Sequence, residues 1–342
     1  MKSKAIIFLF LFCFIFSCKN IDQNDFVHVD LSGVINLEAP DVIYSFDDKY
    51  PTDISIRDSI AYIVQIKSDY CLMALNLNTR QVIQSFGISG HGPNDIIFPL
   101  FISSIDHEEV LLQDGFSKQF NVVDFNKQTE KYVVNKYMDY SNKIFRSSET
   151  NISKNLISGR KSGAGKMFYV YGINTDELIE IDFYPEIKDL NPNIDLNYLY
   201  APSIAMNEER NRILAGMYFF DMFHVYDLSG KRIKTCCFSK NFSPSTYRDV
   251  TTENIIQKCS EGLVRVFPTR DYCYFLRSSR EYVDNMLIQV NWDGELMNIY
   301  HTSDEIEGQF YIDEKEKKMY IIRHRLLSAI EEVFEVVSYL LN

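Results

Sequence analysis

The segment FHVYDLSGK, Phe223–Lys231, is an apolar run that stops on an acid and reverses through a glycine turn, and the chain repeats variants of it. LMALNLNTR begins at Leu72, FNVVDFNKQ at Phe120, FYVYGINTD at Phe168, LIQVNWDGE at Leu287 and FEVVSYLLN at Phe334. With Asp227 as anchor, the equivalents are Asn76, Asp124, Gly172, Asn291 and Ser338, and successive anchors lie 48, 48, 55, 64 and 47 residues apart. A period of roughly 40–50 residues built from short strands and turns is the signature of a β-propeller. The two residues before each anchor are nearly all apolar, as in Val225-Tyr226 and Val122-Val123. Both faces of these strands are therefore buried, as in a sheet packed between two others; a half-wet sheet would alternate. The anchors are turn formers, because Asp and Asn cap turn amides, and Gly230 and Gly294 supply the positive φ a tight hairpin needs.

A second turn signal lies upstream of each anchor, at Asp58, Asp106, Lys154-Asn155, Asn207, Asp271 and Asp313, each between two apolar stretches. Each unit thus reads strand, turn, strand, connection, strand, turn, strand. The fold expected is all-β: a six-bladed β-propeller of four-stranded antiparallel blades. Gly159–Lys166, basic and glycine-rich, reads as a loop. The sixth unit runs out at Asn342, where a fourth strand is due. Closure by an N-terminal strand removes both open edges, and FVHVDLSGVIN, Phe26–Asn36, is the segment expected to supply it. A competing reading makes EEVFEVVSYLL an amphipathic helix.

The first residues are set apart from the fold. MKSKAIIFLFLFCFIFSC pairs two lysines with an apolar run too short to span a bilayer well, the pattern of a secretory signal. Residues 1–17 read as that signal, Cys18 as a lipidated first residue, 18–25 as a polar tether, and 26–342 as the propeller. The formal charge of −12, with acids and bases interspersed, argues against nucleic acid, whose phosphates require basic stripes. Beyond Cys13 and Cys18 there remain Cys71, Cys236, Cys237, Cys259 and Cys273, with no CxxC and no metal-finger spacing. Cys236 and Cys237 read as small buried hydrophobes; a Cys259–Cys273 bridge is open.

FGISGHGPNDIIFPLFISSID, Phe86–Asp106, followed by VLLQDGFSKQFNVVDF, Val110–Phe125, resembles one NHL-type propeller repeat at Phe86-Gly87, Gly90, Gly92-Pro93, Pro99, Asp106, Asp114 and Val123-Asp124. With its lipoprotein-like start, the chain resembles the TolB-like six-bladed propeller lipoproteins of Bacteroidota. The resemblance implies fold and an address in the cell envelope, lipid-anchored at the outer membrane and facing periplasm or surface; it implies no particular chemistry. The glycine-rich piece is not a phosphate loop, since no Gly-Lys-Ser/Thr follows.

No HxH, HExxH or GxSxG occurs, so neither a local zinc site nor a nucleophile elbow is expected. An axis could still gather ligands from separate blades, and Asp106, His107, Asp114, Asp221 and His224 are the channel candidates. Tyrosines of NYLYAP, Asn197–Pro202, are candidates for stacking on sugar faces, against packing of an inter-blade loop. The function expected is a non-catalytic binding module, without cofactor, for a peptide, glycan or partner protein across the funnel of a rigid ring. The alternative is a propeller lyase or hydrolase with a metal or histidine at the axis.

Overall fold

The computed structural model describes residues 26–342 except 48, 93–94, 106–108, 115–118, 140, 145–146, 148, 161–164, 241, 259–260, 280–284, 303, 305–308, 327–331 and 342. Six sheets are arranged as blades, each an antiparallel meander counted from its innermost strand outward. Blade 1 holds Tyr50–Arg57, Ile60–Ile66, Tyr70–Asn76 and Gln81–Ile88. Blade 2 holds Pro99–Phe101, Val110–Asp114, Gln119–Asn126 and Lys131–Asp139. Blade 3 holds Asn151–Ile152, Leu156–Arg160, Phe168–Gly172 and Leu178–Ile181. Blade 4 holds Pro202–Asn207, Arg212–Met217, Met222–Tyr226 and Arg232–Cys237. Blade 5 holds Glu261–Pro268, Tyr272–Ser279, Asn285–Asn291 and Leu296–Thr302. Blade 6 holds Phe310–Asp313, Lys318–Leu326 and Glu332–Leu340, with Asp41–Phe46 as its outer strand.

The repeated phrase is the third strand of every blade and, in all but the last, the hairpin that follows it. The third strands of blades 3 and 4 are buried at every position, as sheets stacked on both faces require. The turns close as the anchors imply: Asn76 Oδ1 accepts from the amides of Asn78 and Thr79, both at 2.9 Å, and Asp227 Oδ1 from those of Ser229 and Lys231, both at 3.0 Å. Gly230 and Gly294 have φ of +80° and +73°. Blade 2 shifts the cap by two residues, from Asp124 to Asn126, whose Oδ1 accepts from Gln128 and Thr129.

Closure comes from the N-terminal side, but from a different segment than Phe26–Asn36. Asp41–Phe46 pairs antiparallel with Glu332–Leu340, Phe334 facing Phe46, and the chain end is a strand rather than a helix. The physical reason lies in DVIYSF. Its Ile43 and Phe46 enter the core between blades 6 and 1 beside Ile54, Ile63 and Val336, where burial of each contributes about 1.5–3 kcal/mol. FVHVDLSGVIN is interrupted by Asp30, whose carboxylate accepts from Ser32 Oγ, and cannot form one strand. It straps the outside instead. Phe26–His28 adds a parallel fifth strand to blade 4, and Ile35–Asn36 adds one to blade 5. Val29 between them enters the core with Phe223, Phe275 and Trp292.

The expected loop at Gly159–Lys166 is corrected at its first two residues, while 161–164 lie outside the described residues. Gly159 and Arg160 belong to the second strand of blade 3, where a Cβ on Gly159 would lie 2.6 Å from the Tyr169 hydroxyl. Glycine is there to admit that ring. Cys71, Cys236, Cys237 and Cys273 are buried free thiols, and Cys259 lies outside the described residues. No helix among the described residues is long and apolar enough to cross a membrane.

Candidate functional site

In an antiparallel meander the first and third turns of each blade emerge on one side, the hairpin side. The second turns and the inter-blade connections emerge on the other, the loop side. The axis between them is not uniform. Ile152 N donates to Ser103 O at 3.1 Å, Asn151 Nδ2 to Ile204 O at 2.8 Å and Val266 N to Ser203 Oγ at 2.9 Å. These bonds zip the inner strands of blades 2, 3, 4 and 5 together. The space left lies against blade 6: a cavity of about 580 Å³ walled by the inner strands and first hairpins of blades 5, 6, 1 and 2.

Three guanidinium groups, Arg57, Arg265 and Arg270, line this funnel, with Glu109 and Glu314 among its acids. Glu314 accepts a hydrogen bond from Thr269 Oγ1, and burial holds its carboxyl above the usual range against that bond. Arg265 lies deeper. The inner strand of blade 5 slips register between Leu263 and Arg265, and that of blade 1 between Pro51 and Asp53. A bulge bends a strand and re-aims the side chains beside it. Leu263 and Val266 point into the core between blades 4 and 5, which leaves Arg265 to line the cavity.

Two buried carboxylates feel the field of that guanidinium. Asp53, 3% exposed, accepts from the amides of Ile54 at 2.9 Å and Phe101 at 3.1 Å. Burial pushes its pKa up, and Arg265 is the strongest opposing influence. Glu149, on the connection into blade 3, accepts from Ser203 Oγ at 2.6 Å. Its carboxyl is likewise raised by burial and drawn down first by Arg265. Of these three charges Arg265 is the one that lines the funnel, where it can hold a polar ligand by charge-assisted hydrogen bonds.

A family model for TolB-like six-blade propellers matches residues 38–315. The chain belongs to this TolB-like propeller family. Among solved structures, it is similar to a member of the DUF4221 family from Bacteroides vulgatus, at 13% identity over 88% of this chain and 96% of that one, with a TM-score of 0.56. It is also similar to a putative exported protein from Bacteroides fragilis, at 11% identity over 92% and 98% of the two chains, TM-score 0.52. At these identities the likeness is one of fold. No curated protein matches the sequence.

In this TolB-like propeller the residues singled out from sequence do not converge. His224 sits on the third strand of blade 4, away from the axis and fully buried, with Nδ1 2.9 Å from Thr235 Oγ1 and its ring against Tyr184 and Tyr226. Burial first, and then Arg232, push its pKa down to about 3, so it packs as a neutral ring. Both oxygens of Asp221 are engaged by Arg277, at 2.7 and 3.0 Å. Asp114 Oδ1 accepts from the amides of Ile97 and Phe98, fixing the connection between blades 1 and 2. None of the three walls the funnel. Asp106, His107 and Cys18 lie outside the described residues. Among the described residues no group of three or more His, Cys, Asp or Glu could hold a metal ion.

Arg265 carried a signal that motif searching passes over. It is a lone charge inside LVRVFP, Leu263–Pro268, a run apolar enough to be an inner strand. A charge there is either misplaced or aimed at the axis, and the bulge aims it.

Proposed function

We propose that this TolB-like propeller is a lipid-anchored envelope protein that binds, and does not transform, a polar segment of a peptide, glycan or partner protein in its hairpin-side funnel. The observation that carries this reading is Arg265 in the wall of a cavity of about 580 Å³, with further guanidinium groups at Arg57 and Arg270 around it. A guanidinium in a partly enclosed cleft is a strong, directional donor to carboxylate, phosphate or carbonyl groups. Export is supported by the signal-like residues 1–17 and by the description of the Bacteroides fragilis neighbour as a putative exported protein. Anchoring rests on the lipobox-like ending at Cys18.

The test is binding by the purified mature protein to arrayed peptides and glycans, compared with the Arg265→Ala variant. Loss of a charge-assisted bond weakens a specific ligand about 10- to 100-fold. Saturable, metal-dependent turnover of a sugar lactone or polyuronide by the same protein would overturn the reading. For the anchor, Cys18→Ser is expected to move the protein from the membrane pellet to the soluble fraction and to abolish incorporation of labelled palmitate; unchanged fractionation removes the lipid.

A further inference from the structure

A second, smaller cavity of about 230 Å³ opens on the loop side of blades 3 and 4. We propose that it is a binding site for one neutral sugar ring. Its walls include Tyr198, Tyr218 and Phe219 together with the charged groups of Glu149 and Arg160. Tyr198 stands on the helical turn Leu196–Leu199, which is capped by Asp195 Oδ1 accepting from Asn197 N at 2.9 Å. Tyr218 follows the second strand of blade 4, its amide donating to Ala201 O at 3.1 Å. Both rings pack on Phe219, with centroids 4.9 and 4.8 Å away, and Phe219 is itself only 1% exposed. The two tyrosines are half-buried, so a fixed aromatic wall reaches the cavity at modest entropic cost.

The polar groups are placed as firmly. Arg160 Nη2 donates to Asn197 O at 3.0 Å, tying the guanidinium to the turn that carries Tyr198. Glu149 is fixed by Ser203 at 2.6 Å. The cavity thus offers an aromatic wall, one strong acceptor and one strong donor.

Size and charge choose among ligands. The volume is below the roughly 300–1,000 Å³ of pockets that enclose drug-sized molecules, so a single ring is what it admits. Glu149 feels both Arg265 and Arg160. A cationic side chain entering beside it therefore meets the guanidinium of Arg160, and an anion meets the carboxylate. A pyranose carries neither penalty. Its C–H face lies against a tyrosine, and its hydroxyls both donate to Glu149 and accept from Arg160. This site opens on the loop side, away from the funnel that blades 5, 6, 1 and 2 enclose, and the two share only the field of Arg265 at Glu149.

The experiment is saturation-transfer NMR with titration calorimetry on the full mature protein. The neutral probes are methyl glucoside, methyl galactoside, cellobiose and lactose; the charged controls are glucosamine, glucuronate and a lysine-containing tripeptide. At least one neutral sugar is expected to bind saturably and more tightly than every charged control. Tyr198→Ala and Tyr218→Ala should each weaken it about tenfold or more, while Tyr198→Phe keeps it. Arg270→Ala, a funnel variant that neither lines this cavity nor acts on Glu149, should alter it less than threefold, which separates failure here from failure of the funnel reading. Where Tyr198→Ala does not fold, Tyr218→Ala and Tyr198→Phe decide. The proposal is overturned by the absence of saturable neutral-sugar binding at millimolar concentration, by tighter binding of a charged control, or by binding that survives both alanine substitutions.

Discussion

The two halves of the ring solve opposite problems with the same strand. Around blades 3, 4 and 5 the inner strands touch, and side chains are spent on closing the axis: Asn151 reaches Ile204 O, and Ser203 receives the amide of Val266. Outward of them lies the large core of blades 3 and 4, with Phe168, Leu199, Phe219 and Phe220 fully enclosed. Around blade 6 the inner strands and first hairpins of blades 5, 6, 1 and 2 line the funnel of about 580 Å³ instead. The lesson is that a propeller needs close packing between blades but not at its axis. One sector can be sealed for stability while another stays open for binding.

The largest expected difference between the halves is at Gly262. A Cβ there would lie 1.9 Å from Tyr218 O, a backbone atom of the neighbouring blade. Gly262→Ala is expected to cost about 3 kcal/mol or more in urea unfolding, because backbone must move. Ser55→Ala, in the funnel wall, should stay within about 0.5 kcal/mol. Equal costs would erase the distinction between a packed and an open sector.

A smaller effect is expected at the zip itself. Asn151→Ala removes the buried bond that joins blades 3 and 4 and strands Ile204 O, costing about 1–3 kcal/mol by the same measurement. A neutral result would mean that blade contacts alone close the axis.

The smallest effect is a change of slope with pH. Burial raises the Asp53 carboxyl above its ordinary 3.8. A carboxyl raised on folding favours the native state most when the pH is below the unfolded value, and this contribution is lost as pH rises through the folded pKa. Asp53→Asn therefore should narrow its stability deficit, or turn it to a gain, relative to wild type as pH rises from about 4 towards 7. Melting temperatures of the two proteins across that range check it. A deficit that widens with pH would show instead that the ionised carboxylate, with Arg265 and the two amides, is the favoured form.

Much of this was legible beforehand, and the reason is local. Hairpins capped by Asn76, Asp227 and Asn291, and third strands apolar on both faces, are dictated by residues a few positions apart. Six copies of such a module can hide their faces only by stacking in a ring. What was misread depended on partners far along the chain. The sequence points to Phe26–Asn36 as the closing strand, yet Asp41–Phe46 fits between Val336 and Ile54, which the segment itself does not reveal. His224 is a channel candidate in the sequence because an axis can gather ligands from separate blades; its place on the third strand puts it off the axis.

The sequence by itself determined the module, the count of blades and the need for an N-terminal strand to shut the ring, because periodicity and turn chemistry act over a handful of residues. Only the tertiary structure decided which sector of the axis stayed open and which charges faced it. Bulges beside Asp53 and Arg265, and the approach of strands some two hundred residues apart, set those positions, and neither is written in any local pattern.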